Sequence, residues 1–261
     1  MSLIYTLGVA DQKGGMPMFQ PYSAAHWYAL IGCMCMCLGL IVFRRKLRDH
    51  RKASRAVALG IALLLALLET ALYATYTIHR QWSAAALPFQ LCTITLWLSA
   101  IMLLTRSRRL YEILFYLGTL GALQAMLTPD LTETFPQFRY FHFFLGHIGI
   151  IAASVYMTAV ERFRPRLRSL PMAVLALHLF AIPGAIMNAV AGTNYMFLAW
   201  KPVGGSMLDW LGPWPWYLVE LEPIVWLLCG LLYGSLWLLD QLPRWLPFHK
   251  HKPAQHDEQS N

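Results

Sequence analysis

Charge is what this chain is short of. Only 13% of its 261 residues are Asp, Glu, Lys or Arg, about half the roughly 25% carried by ordinary soluble domains. Hydrophobic residues make up 57% and the mean hydropathy is +0.47, so there is too little polar surface to clothe a soluble globule. Acids are scarcest, 13 against 21 Lys and Arg, giving a net charge of +8. The basic residues fall in short clusters between apolar runs, which is the pattern of loops at a membrane surface and excludes nucleic acid as a partner.

Other absences narrow the class further. Five cysteines, Cys33, Cys35, Cys37, Cys92 and Cys229, all lie inside apolar runs, so neither a secreted disulfide framework nor a zinc ribbon fits, and free thiols are expected. The soft run Cys33-Met-Cys-Met-Cys37 suits Cu(I) by ligand type, but only Cys33 and Cys37 share a helix face, and both read as packing residues. No metal and no cofactor are predicted. The first 21 residues lack the basic n-region and cleavage site of a signal peptide, so residues 1–23 read as a retained, interfacial tail. No internal repeat is visible, which counts against a transporter.

What is present is a set of apolar runs about 20 residues long, the length that crosses a bilayer core. Seven spans are predicted: 24–43, 56–78, 87–104, 110–127, 140–160, 170–191 and one from Trp214 to Leu239. The fold class is therefore all-α membrane, a seven-helix transmembrane bundle over residues 24–239, with a polar cytoplasmic tail at 240–261. Pro88 falls in the first turn of the third span, where its missing N–H costs nothing. Pro183-Gly184 should kink the sixth. The turn-rich connection 192–213 reads as a shaped lid or re-entrant loop, and Trp214 to Tyr217 as an interfacial aromatic anchor. With the N-terminus outside and the C-terminus inside, all but four of the 21 basic residues (Lys13, Arg80, Arg139 and Lys201) fall on the cytoplasmic side. A multi-pass protein of the bacterial cytoplasmic membrane is the expectation.

Polar residues within the spans carry the functional argument, because burying them in lipid is costly. Glu69, Tyr73 and Tyr76 form one helical stripe that must face the bundle. His142 and His147 are five apart, about 140° around a helix, so they cannot chelate one metal as an i, i+4 pair does. Counted inward from the outer ends at 1.5 Å per residue, Gln90 and His142 lie roughly 3 to 5 Å deep, Cys92 about 8 Å, Glu220 about 9 Å, His147 about 10 Å and Glu69 about 14 Å. Asn188 and Gln124 also lie near the outer rim, whereas His178 lies roughly 20 Å down. A single polar cavity open to the outer face explains this clustering. Within it, Cys92 and His147 match in depth, so a thiol and its activating base could meet. Gln90, Asn188, Asn194 and Tyr195 are the available oxyanion donors. Glu69, His142, Trp216 and Glu220 complete the expected substrate-binding set.

The motifs Leu87-Pro-Phe-Gln-Leu-Cys92, Phe141-His-Phe-Phe-Leu-Gly-His147, Gly192-Thr-Asn-Tyr-Met-Phe-Leu198 and Leu211-Gly-Pro-Trp-Pro-Trp-Tyr217 resemble the YwaF-like family of bacterial integral membrane proteins. Its eukaryotic relative, transmembrane protein 164, is regarded as a phospholipid acyltransferase working through a cysteine acyl intermediate and a histidine. By position the resemblance implies catalytic roles for Cys92 and His147. A histidine often stands two residues before the cysteine in that family, where this chain has Gln90. The expectation is a lipid-acyl enzyme, transferase or hydrolase, with membrane lipids as substrate and solvent. The alternative is a seven-helix receptor or transporter for a small ligand.

Overall fold

A computed structural model of the chain describes residues 18–202 and 205–245. Among the described residues nine α-helices follow one another: α1 Ala24–Val42, α2 Arg44–Asp49, α3 Arg51–Ile78, α4 Leu91–Thr105, α5 Arg108–Leu114, α6 Leu117–Leu127, α7 Phe138–Ala159, α8 Ser169–Ala191 and α9 Trp216–Trp245. Seven segments are long and apolar enough to cross a membrane, with α5 and α6 together making one of them. The described residues form an all-helical bundle, and the seven-span expectation holds.

Several boundaries differ from the sequence reading. The basic stretch before the second span is itself helical, as α2 and the start of α3, because Arg and Lys are good helix formers. The fourth span breaks at Phe115 and Tyr116 between α5 and α6. Pro88 does not open the third span; Gln90 is the N-cap of α4, in extended conformation, and the helix starts at Leu91. At the other end of the chain the helix runs past Leu239 to Trp245. Residues 1–17 of the expected N-terminal tail and residues 246–261 of the C-terminal tail lie outside the described residues.

The most enclosed span is α7, which packs against α1, α3, α4, α5 and α6. Small residues make this possible. A Cβ on Gly149 would lie 2.5 Å from Leu65 Cδ2 of α3, and one on Gly146 would lie 3.5 Å from Leu96 Cδ1 of α4. Both leucines are buried, so the glycines set how closely three helices approach. In lipid, where apolar side chains gain little by leaving a like solvent, such close fit holds helices together. The outer faces are apolar, as the stripe Leu175, Leu179, Ile182, Ile186 and Val190 on α8 shows, all of them exposed. Packed on α8, α9 lies at the periphery.

The arginine-rich loops meet at one end. Arg48 donates to the carbonyls of Ala159 and Val160, Arg106 pairs with Glu161 at 3.0 Å, Arg108 bonds Glu112 at 3.1 Å and the Arg164 carbonyl at 3.0 Å, and Arg164 grips Asp240 of α9 with two nitrogens. These contacts satisfy backbone carbonyls at helix ends that have no intrahelical partner. The opposite end holds the connection 192–215 and the start of α4.

Candidate functional site: a polar cluster between three helices

Glu69 is buried to 1% exposure on the face of α3 that meets α7. Its Oε2 lies 3.0 Å from His142 Nε2, a hydrogen bond across the helix interface. Tyr73, one turn further along α3, brings its hydroxyl close to the same carboxylate, as the helical stripe requires, and its ring stacks on Trp82 at 5.7 Å. The contact between Leu96 and Gly146 fixes the register of α4 against α7. Cys92 and His142 each stand four residues earlier on those faces, so the register brings them level.

His147 is five residues further along α7, about 7.5 Å deeper than His142 and so deeper than Cys92, which departs from the equal depth expected of Cys92 and His147 from counting along each span. Its Nδ1 lies 2.6 Å from the Phe143 carbonyl. A carbonyl only accepts, so Nδ1 carries the hydrogen and Nε2 of the neutral ring keeps its lone pair. That Nε2 is buried without a hydrogen-bond partner, as is Glu69 Oε1. Among the described residues no hydrogen bond joins Cys92 to His147. The free His147 Nε2 is an acceptor, and a ligand that satisfies it must bring a hydrogen.

The remaining candidates hold the loop that covers this end. Asn188 Oδ1 accepts from Thr193 Oγ1 at 2.9 Å and Tyr195 N at 2.7 Å, while its Nδ2 donates to the Tyr195 carbonyl at 3.1 Å. Asn194 bonds Ala199 and Trp200 in the same manner. Gln90 Oε1 accepts from Met196 N at 3.0 Å, and Met196 itself stands at φ +55°, a left-handed conformation that a non-glycine residue adopts only when held. The buried Tyr195 hydroxyl donates to the Ala84 carbonyl, and Tyr217 to that of Phe197. Glu220 Oε2 accepts from Gly212 N at 2.8 Å. Trp216 is exposed. The connection is thus a stapled cap over the start of α4, with Gln90 two residues from Cys92 as one of the staples. Gln124 bonds only Thr128, at 2.7 Å, within its own helix end.

Two features escaped the sequence reading. His178, placed apart by its depth, has a partner in Glu222 of α9 at 3.3 Å. His26 is fully buried, accepting from Tyr22 N at 2.9 Å and donating through Nε2 to the Met126 carbonyl at 2.7 Å; its ring ties α1 to the end of α6, and nothing in its local sequence signals that. Cys33 is buried and Cys37 partly buried on α1, while Cys35 is exposed. No group of three or more potential metal-ligating side chains exists among the described residues.

Seven apolar helices enclosing a Glu–His pair, a second histidine and a thiol define a polytopic membrane protein with polar groups gathered inside the bundle. The sequence model of the TMEM164 family matches residues 21–233, and the chain belongs to that family. A relative from Treponema pallidum (strain Nichols), described as an uncharacterized protein, is 30% identical over 211 residues, which is 81% of this chain and 79% of the relative. No solved structure matches.

Proposed function

We propose that this protein is a lipid-acyl enzyme, a phospholipid or lysophospholipid acyltransferase or hydrolase, in which Cys92 is the nucleophile and His147 its base. The observation that carries the reading is the fixed tautomer of His147: with Nδ1–H given to the Phe143 carbonyl, a buried Nε2 lone pair is left free to take a proton. Family membership supports a membrane acyltransferase-like role.

In this reading Cys92 Sγ attacks the ester carbonyl of a phospholipid, and because His147 lies deeper than the thiol, the proton reaches His147 Nε2 through a bridging water or hydroxyl rather than by direct contact. The tetrahedral intermediate collapses to a thioester, and the proton returns to the departing lysolipid alkoxide. A second lipid hydroxyl or water then attacks the thioester and regenerates the thiol. A thiol suits an apolar site because it is intrinsically more nucleophilic than a hydroxyl and needs less help to ionise. The acyl substrate is already dissolved in the solvent around the helices. By the excess of arginines at the other end, the cap and Cys92 face the outer half of the membrane.

Purified protein given fluorescent phospholipid and lysophospholipid in detergent micelles tests the reading. Turnover is expected in the native chain, absent in Cys92→Ala and reduced at least about 100-fold in His147→Ala, the scale of a lost general base. Turnover that survives Cys92→Ala removes the thiol from the mechanism. Absence of turnover, with saturable binding of a small ligand, would favour a receptor or transporter.

A further inference from the structure

At the arginine-rich end, away from Cys92, a cavity of about 720 Å³ opens between the start of α8 and α9, lined by Pro165, Arg166, Leu167, Arg168, Pro171 and Tyr233. Its charge is not balanced locally. Seven arginines (106, 108, 109, 162, 164, 166 and 168) gather at this end against the acids Glu112, Glu161 and Asp240. Arg106 takes Glu161, and Arg164 takes Asp240. Arg166 has only Glu112, at 3.5 Å, and must share that one oxygen with Arg108, which is nearer at 3.1 Å. Arg168 has no ion-pair partner among the described residues. The two guanidiniums of the cavity therefore offer several donors without an acceptor.

The apolar half of the site continues from the same rim. Pro171 lines the cavity, and the residues at helical spacing from it, Leu175, Leu179 and Ile182, are 60%, 55% and 52% exposed. They form a track running from the cavity along α8 towards the middle of the span. Leu167, between the two arginines, is also exposed at 62%. An anion with an apolar tail matches this arrangement, since basic pockets between transmembrane helices suit lipid headgroups.

We infer that this cavity binds the phosphate headgroup of an anionic phospholipid, with Arg166 and Arg168 on the phosphate and an acyl chain along Leu175, Leu179 and Ile182. The inference stands apart from the acyl-enzyme reading, because the site lies at the other end of the bundle and lacks a nucleophile. Bidentate guanidinium–phosphate bonds hold the phosphate, the surrounding arginines repel a headgroup that carries its own cation, and the apolar track distinguishes a lipid from a free anion. Arg166 is held ready by Glu112 and by the Tyr116 hydroxyl, which donates to the Arg166 carbonyl at 3.3 Å.

Native mass spectrometry of the full chain, delipidated and then given equal phosphatidylglycerol and phosphatidylcholine, provides the test. Selective retention of phosphatidylglycerol is expected, and Arg166→Gln with Arg168→Gln should lower it about 30-fold, the combined order expected for two basic groups near an anionic lipid. Arg109→Gln, at the same end but outside the cavity, should leave retention unchanged. If the double variant fails to fold, Arg168→Gln alone decides, since Arg168 has no ion pair to lose. Equal retention of both lipids, retention unaffected by the cavity variants, or displacement of the lipid by millimolar inorganic phosphate or glycerol 3-phosphate would each overturn the inference; the last would make this a soluble-anion site.

Discussion

Removing His142 should harm this protein more than removing the charge of its partner. Glu69 is 1% exposed, and His142 Nε2 is the hydrogen-bond partner of its Oε2 while Oε1 has none. In His142→Ala the buried Glu69 carboxyl group would lose the partner of its Oε2, a situation that costs about 3–5 kcal/mol when one member of a buried pair is deleted. Glu69→Gln keeps the bond, because the amide can donate to the neutral imidazole, and should cost about 1 kcal/mol, the scale of one ordinary hydrogen bond. Combining Glu69→Leu with His142→Ala removes both polar groups and should recover at least about 2 kcal/mol relative to His142→Ala alone. Unfolding by SDS titration in mixed micelles, followed by helical circular dichroism, reads these differences. If His142→Ala proved milder than Glu69→Gln, or the double change were as damaging as the sum of its parts, the two side chains would not be a coupled pair and the cluster around Cys92 would have to be redrawn.

Gly149→Ala should destabilise by about 1–3 kcal/mol, because the new methyl meets buried Leu65 at 2.5 Å; Gly60→Ala, which meets nothing within 4 Å, should cost nothing, and SDS titration of both checks the contrast. Asn188→Ala strands the Tyr195 N–H and the Thr193 hydroxyl, each worth about 1–3 kcal/mol when left unpaired, so limited proteolysis should cut between Gly192 and Pro213 much faster; an unchanged rate would show that Asn188 does not hold the cap. Reporters fused after Arg109 and after Arg168 should be cytoplasmic, and one between Asp130 and Phe135 external; any reversal would place the cap and Cys92 on the inner side.

How far the sequence carried this picture depended on whether a residue's fate is decided locally. The seven spans were legible because a long apolar run has no other destination in a chain so poor in charge, and Glu69 could be turned inward because lipid leaves a carboxylate no alternative. What Glu69 would bind was not legible, since His142 lies on another helix 73 residues away. The break at Phe115 and Tyr116 carries no Gly or Pro to announce it. Pro88 pointed to the wrong first turn because Phe89 stays outside the helix and Gln90 becomes the cap, its side chain engaged by Met196 of the loop. His178 was set apart by counting depth along its own span, whereas its partner Glu222 sits on another helix, α9, which a count along one helix cannot reveal. Gln90, Asn188, Asn194, Tyr195 and Glu220 were legible as polar residues near one end; that their polar atoms hold the cap together emerges only from the loop's own backbone path.

The central claim is that Cys92 carries an acyl group. Intact mass of the protein after incubation with phospholipid should show an added acyl chain that hydroxylamine removes, present in the native chain and in variants of Cys33, Cys35, Cys37 and Cys229, absent in Cys92→Ala, and strongly reduced in His147→Ala. An adduct that persists in Cys92→Ala, or a native chain that never gains one while it turns lipid over, would contradict the account.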